Sequence, residues 1–202
     1  MVLTQDIDTE ILPLVVQFRP VIEMTDDQFG EFCQINRDLR IERTAEGEVI
    51  IMPPVYSESG EKNFNLTGQL AVWVKRDGTG KGFDSSAGFT LPNGAVRSPD
   101  ASWIKKERWE AINNEQRQKF ASICPDFVVE LRSQTDSLKV LQKKMQEYLD
   151  NGALLCWLID PIQKKVYIYR PDAEMVCLNN PKTLSGEPIL SGFVLDLSEI
   201  WD

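Results

Sequence analysis

Arg97-Ser98-Pro99-Asp100-Ala101-Ser102-Trp103-Ile104 and Phe127-Val128-Val129-Glu130-Leu131-Arg132 read as two strands that each carry one acid. Pro99 fixes its own φ and donates no ladder hydrogen bond, so it suits the entry to a strand. Asp100 then stands at the strand mouth, on the face of Ser102 and Ile104. In the second strand, alternation puts Val128, Glu130 and Arg132 on one face and Phe127, Val129 and Leu131 on the other. Glu130 is thus a charge among apolar neighbours, and an ionised carboxylate there needs a cation. Arg132, two residues along, is one source and a metal ion is the other. Asp100 also has two readings: a turn residue accepting backbone N–H bonds after Leu91-Pro92-Asn93-Gly94, or a second ligand.

The segment after Glu130 is periodic at helical spacing. Thr135 or Asp136 can cap it, and Leu138, Leu141, Met145, Tyr148 and Leu149 form one apolar stripe. Lys144 lies at the stripe's border beside Leu141 and Tyr148 and can turn back toward the sheet, whereas Lys143 points away. Gln142 lies at the opposite border, near Leu149. Lys144 alone reads equally as an ordinary boundary lysine. Two acids on neighbouring strands with a cation nearby are what magnesium-dependent phosphodiester hydrolysis requires.

Ser98-Pro99-Asp100, Val129-Glu130-Leu131-Arg132-Ser133, Lys144-x-x-x-Tyr148 and Gly152-x-x-x-Cys156-Trp157-Leu158-Ile159-Asp160-Pro161 together resemble a restriction-endonuclease-like family abundant in cyanobacterial genomes. That family is grouped with the PD-(D/E)XK nucleases. The resemblance runs from about Met24 to Pro161. It implies a restriction-endonuclease-like mixed sheet flanked by helices, DNA as substrate, and Asp100 and Glu130 as the acidic pair for Mg2+ or Mn2+. The superfamily's lysine normally follows the second acid by two residues, and Arg132 holds that position here. Arginine stays protonated, so it can stabilise developing charge but cannot act as a base. In the family the lysine has moved to the following helix, which points to Lys144, with Arg132 the other candidate. Asp84 is a further candidate ligand or a strand-end turn residue, and Glu61 is a further candidate acid or a favourable first-turn charge. Gln142 and Tyr148 complete the candidate set. Two other readings remain: a catalytically inactive nuclease-like module that binds nucleic acid or a protein partner, and a metal-dependent phosphoesterase acting on nucleotides or RNA.

Composition narrows the chemistry. The chain of 202 residues contains no histidine, which excludes Ser-His-Asp hydrolases, HExxH metalloproteases and histidine-metal nucleases. Neither a Walker A loop nor a GxGxxG fingerprint occurs, so no nucleotide cofactor is expected. No apolar run approaches a membrane span and the N-terminus lacks the order of a signal peptide, so a cytoplasmic protein is expected. Cys33, Cys124, Cys156 and Cys177 are scattered and read as reduced core or boundary residues. The net charge of −9 opposes long-range attraction to DNA. Local cations can oppose it: Lys75-Arg76 and Lys81, Lys105-Lys106 with Arg108, and Lys139, Lys143 and Lys144. Much of the acid clusters near the N-terminus in Asp6, Asp8, Glu10, Glu23, Asp26 and Asp27.

The order of elements suggests one α/β (α+β) domain over 1–202, with 1–23 an N-terminal extension. Thr25-Asp26-Asp27-Gln28 reads as a capping box opening a helix to about Asn36. A hairpin follows from Leu39 to Met52, then a helix from about Ser57 to Lys75 and strands near Gly82, Phe89 and Ala101. A short helix spans about Glu107 to Ile112, and strands at Cys156–Ile159 and Lys165–Tyr169 pair as a hairpin. Phe193, Leu195, Leu197, Ile200 and Trp201 are expected to cover the sheet. Trp73 reads as core or as a dimer face, and a homodimer is expected because two sites suit two strands of a duplex.

Overall fold

The computed structural model describes residues 13–201. Asp6, Asp8 and Glu10 of the acidic N-terminal cluster lie outside these residues, as does most of the expected extension. From its own part of that extension, β1 (Leu14–Val16) pairs antiparallel with β3 (Val49–Met52), which forms a hairpin with β2 (Arg40–Arg43). Between β1 and β2 lies α1 (Asp26–Ile35), opened by the expected reciprocal bonds of Thr25 and Gln28. The long helix α2 (Ser57–Asp77) ends at Gly78, whose left-handed φ of 70° closes the last turn.

The chain then runs through β4 (Gly80–Asp84), β5 (Phe89–Thr90), β6 (Val96–Arg97) and β7 (Ala101–Lys105). Two short helices, α3 (Lys106–Ala111) and α4 (Asn114–Arg117), precede β8 (Ala121–Ser122) and β9 (Phe127–Leu131). After α5 (Leu138–Asp150) come β10 (Leu155–Asp160), β11 (Lys165–Tyr169), β12 (Val176–Asn179), β13 (Thr183–Ser185), β14 (Val194–Asp196) and α6 (Ser198–Trp201).

The strands do not form one continuous sheet. One six-stranded sheet has the order β1-β3-β2-β6-β5-β8 and another β12-β11-β10-β9-β7-β4, with β13 and β14 forming a small separate ribbon. The second sheet is mixed: β9 and β10 run parallel, joined by the α5 crossover, while the other pairs are antiparallel. With helices packed on these sheets, the restriction-endonuclease-like architecture expected from the sequence is present. Residues 97–101 carry the chain directly from the first sheet into the second, which brings β2 alongside the entry to β7.

Period-two alternation assigns the faces of the second sheet. Trp103, Phe127, Val129, Leu155 and Trp157 point to a core completed by Leu66 and Leu70 of α2 and by Phe193, Leu195, Leu197 and Ile200. Trp73 joins this core: its ring lies 5.9 Å from Trp103 and 5.5 Å from Phe193, and its Nε1 donates to Ser191 O. The opposite face presents Ile104, Val128, Cys156 and Leu158 to Met145 and Tyr148 of α5. A third cluster holds Phe29 of α1 against Ile41, Val49 and Val96 of the first sheet. The four cysteines are free; Cys124 and Cys156 are buried, Cys33 is half-buried and Cys177 is exposed. Among the described residues no helix is long and apolar enough to cross a membrane.

The edge strand β4 can lie against β7 only because position 80 lacks a side chain. A Cβ there would stand 2.3 Å from the Trp103 ring and 2.4 Å from the Ile104 carbonyl oxygen. Backbone cannot yield as a flexible side chain does, so Gly80→Ala is expected to cost at least about 2 kcal/mol. Urea unfolding followed by tryptophan fluorescence measures this, and an unchanged midpoint would contradict the close packing of β4 on β7.

Candidate active site at the junction of the two sheets

Four elements meet where the chain crosses between sheets. Ser98 and Asp100 lie on the crossing itself, Arg40 and Glu42 come from β2, Glu130 and Leu131 from β9, and Lys144, Glu147 and Tyr148 from α5. The α5 residues at 141, 144, 145 and 148 share one face by the 3.6-residue period, so Lys144 and Tyr148 arrive at the sheet with the apolar stripe.

The acids are tightly enclosed. Glu42 is 2 % exposed, Glu130 4 % and Asp100 9 %, so each must find donors within the protein. Asp100 Oδ2 accepts the Leu131 N–H at 2.8 Å, extending the β7–β9 ladder with a side chain. This bond crosses between strands, unlike the local turn bond that the sequence left open. Asp100 Oδ1 faces the Arg40 Nη2 at 3.2 Å. Glu130 Oε1 accepts the Tyr148 hydroxyl at 3.0 Å and lies 2.8 Å from Lys144 Nζ. The same ammonium reaches Glu42 Oε1 at 2.9 Å. Glu42 also accepts the Ser98 N–H at 2.9 Å and faces Arg97, whose Nε donates to Glu147 at 2.6 Å.

These contacts set the ionisation of the cluster. Burial pushes the Glu42 carboxyl up, but Lys144, Arg97 and the Ser98 N–H outweigh it and hold the group below its ordinary range. Burial pushes Lys144 down, and Glu130 and Glu42 reverse this, so it remains firmly charged. Tyr148 is raised well above its usual range by burial and then by Glu130, which keeps its hydroxyl a donor. Glu130 differs. Burial raises it to about 7, Lys144 compensates only in part, and Asp100 and Glu42 add to the rise. Among the described residues the cluster sets Glu42, Asp100, Glu130 and Glu147 against Arg40, Arg97 and Lys144, one cation too few.

Of the residues expected at the site, Asp100, Glu130, Lys144 and Tyr148 are brought together. Arg132 is not. The strand ends at Leu131, alternation lapses there, and Arg132 pairs with buried Asp160 at 2.8 Å and donates to Asp136 O at 3.1 Å. The alternative pairing of Glu130 with Arg132 is therefore not formed. Asp84 sits opposite Ala101 in the β4–β7 register, on the face away from Glu130, and its Oδ1 accepts from the N–H and hydroxyl of Ser86. Glu61 is exposed on α2, and Gln142 is half-buried on α5; among the described residues neither bonds to Asp100 or Glu130. The cap of α5 is Ser137, while Asp136 holds the N–H and hydroxyl of Ser133.

Arg40, Glu42 and Arg97 also belong to the cluster, beyond the residues that the sequence motifs mark. A signal was available in Arg40-Ile41-Glu42-Arg43, where alternation places Arg40 and Glu42 on one face of the hairpin and leaves an acid in need of a cation.

Asp100, Glu130, Arg40, Lys144 and Asn63 line a cleft of about 100 Å3. It adjoins a second of about 180 Å3 that shares Ser59, Leu131 and Ser133 and is lined also by Tyr56, Lys62 and Arg132. A larger cavity of about 860 Å3 lies between α1 and residues 116–122 but contains none of the clustered acids. The chemistry follows the charges, so the small cleft is the candidate site.

A divalent ion suits this donor set. Among the described residues no three acidic or cysteine side chains converge on one point, so a protein cage is absent. Magnesium needs no cage: it uses one or two carboxylates and keeps waters or substrate phosphates. Asp100 and Glu130 would supply those carboxylates. The missing positive charge at Glu130 is the observation that supports the fit.

Residues 26–198 match the model of the Uma2 family, described as "Putative restriction endonuclease". Among solved structures, one described as a putative nuclease belonging to DUF820 from Anabaena variabilis ATCC 29413 is similar, with 23 % identity and a TM-score of 0.68 over 89 % of this chain and 98 % of that one. No curated protein matches the chain.

A carboxyl raised on folding stabilises fully below its unfolded pKa and loses that contribution as pH rises through its folded value. For Glu130 the window runs from 4.5 to about 7. Glu130→Gln, which mimics the neutral acid, is expected to melt above the wild type at pH 8 without metal, with the gap closing toward pH 4.5. Thermal melts in chelator across this range measure it, and a variant less stable at pH 8 would contradict the charge deficit.

Proposed function

The chain belongs to the Uma2 family, and from that premise we propose that it is a metal-dependent endonuclease that hydrolyses DNA phosphodiester bonds with a PD-(D/E)XK-type site. The single observation that carries the reading is the meeting of Asp100, at the entry to β7, with Glu130 of the neighbouring β9 through the Leu131 N–H, and Lys144 2.8 Å from Glu130. Asp100 and Glu130 would hold Mg2+ or Mn2+, whose chemistry when bound would be to polarise a phosphoryl oxygen and acidify a water. Lys144 is then the cation that orients the attacking water or neutralises charge in the transition state. Its tether to Glu42 fixes the ammonium while Glu130 exchanges its partner. Tyr148 and Lys144 both engage Glu130 Oε1, which leaves Oε2 without a hydrogen-bond partner among the described residues and available to a ligand. Arg132 lines the adjoining cleft, and its role in this reading would be toward a flanking phosphate rather than the reacting one. Exposed Lys139 and Lys143 on α5 add local positive charge to an acidic protein.

One observation favours the inactive-module reading. Asp100 and Glu130 already have partners in Arg40, Leu131, Lys144 and Tyr148, as a purely structural network would. Supercoiled, linear and single-stranded DNA incubated with Mg2+ or Mn2+ separates the two. The endonuclease is expected to cut at least one substrate, with Asp100→Asn and Glu130→Gln each slowing cleavage by on the order of a hundredfold or more. Absence of cleavage on all three, with no Mn2+ bound at millimolar concentration, favours the inactive module.

A further inference from the structure

Arg40 is held at the site without being committed to it. Its Nη2 is shared between the Ser98 carbonyl and Asp100 Oδ1, each at 3.2 Å. A guanidinium that engages a carboxylate fully uses two parallel bonds of about 2.7–2.9 Å. Here one nitrogen is divided between two acceptors at the long end of the hydrogen-bond range, and the buried Nε has no partner among the described residues. Asn63 Oδ1, which belongs to the same cleft, is likewise buried and unpartnered. The backbone behind Arg40 is nonetheless well anchored, with Ile41 in the α1-side core and Glu42 bonded to Ser98 and Lys144. The residue is a fixed strand position carrying a loosely held head that opens onto the acids.

Charge decides what such a head can do. Asp100 Oδ1 cannot satisfy a guanidinium and a divalent ion at once without placing two cations side by side. A phosphodiester brings an anion to the same place, and its non-bridging oxygens match the arginine fork. We propose that Arg40 is a transferable clamp: it neutralises Asp100 in the unloaded site and moves to a non-bridging oxygen of the scissile phosphate when Asp100 takes up the divalent ion. This rests on the metal-dependent phosphodiesterase reading and adds a catalytic residue to it. The unpartnered Nε supplies the second arm of the fork once the guanidinium leaves Asp100.

The clamp has an opposed signature, because its removal helps the metal and harms the reaction. Free Mn2+ is counted by electron paramagnetic resonance during titration of the wild type, Arg40→Gln, Arg40→Lys and, as background, Asp100→Asn, alongside single-turnover cleavage. Arg40→Gln is expected to bind Mn2+ on the order of threefold more tightly or better, since a competing cation is gone. It is expected to cleave on the order of tenfold more slowly or worse. Arg40→Lys keeps the charge without the fork and is expected to bind Mn2+ as the wild type does while cleaving more slowly. A folded Arg40→Gln with unchanged or weaker Mn2+ binding, or with undiminished cleavage, makes Arg40 a strut and overturns the proposal. If Arg40→Gln does not fold, undiminished cleavage by Arg40→Lys overturns it. A wild type that binds no more Mn2+ than Asp100→Asn overturns the metal reading itself, and the clamp with it.

Discussion

One ammonium joins the three parts of this protein that meet at the candidate site. Lys144 leaves α5 and reaches Glu42 from the first sheet and Glu130 from the second, at 2.9 and 2.8 Å. Removing an ion from water costs several kcal/mol even after relaxation, and only close pairing with further hydrogen bonds offsets it. Each of the three groups therefore fixes the position of the other two, and a shift of either sheet would strand a buried charge. The contact also separates the acids in character. Glu42 receives Lys144, Arg97 and a backbone N–H and stays ionised, whereas Glu130 shares Lys144 with it and is left short. Under the proposed reading, Glu130 is the under-compensated carboxylate that would take a divalent ion, and Glu42 the one that holds Lys144 in place.

The crossing segment explains why the site lies where it does. Arg97 ends β6 in one sheet, Ala101 opens β7 in the other, and Ser98, Pro99 and Asp100 span the gap. Neither sheet's ladder can satisfy the crossing by itself, so side chains complete it: Glu42 takes the Ser98 N–H, Arg40 donates to its carbonyl, and Asp100 takes the Leu131 N–H. Polar groups concentrate there because regular pairing stops there. The apolar layers behind, with Trp103, Phe127 and Trp157 on one face and Met145 and Leu158 on the other, keep the crossing stiff enough to hold its donors in place.

What the sequence disclosed follows from which interactions are local. Asp100, Glu130, Lys144 and Tyr148 were legible because strand and helix periods determine the side on which each residue emerges. Arg132 was not, because alternation holds only while the strand continues and it stops at Leu131. The roles of Glu42 and Arg40 are not legible because their partners lie 55 or more residues away, at Arg97, Ser98, Asp100 and Lys144, and no local pattern records such a pairing. The division into two sheets was hidden for a related reason: β5, β6 and β8 are two residues each, too short to display a period. Asp84 offered an acid beside a strand end, and its bonds to Ser86 make it the turn residue that its alternative reading described.

Anomalous scattering from crystals grown with Mn2+ tests the central claim most directly, because it locates the ion without relying on turnover. The expected result is one strong peak about 2.1 Å from carboxylate oxygens of both Asp100 and Glu130, with Lys144 still on Glu42. No peak between those carboxylates, with Asp100 and Glu130 keeping their contacts to Arg40 and Lys144 at saturating Mn2+, would contradict it and leave a buried ion network whose purpose is structural.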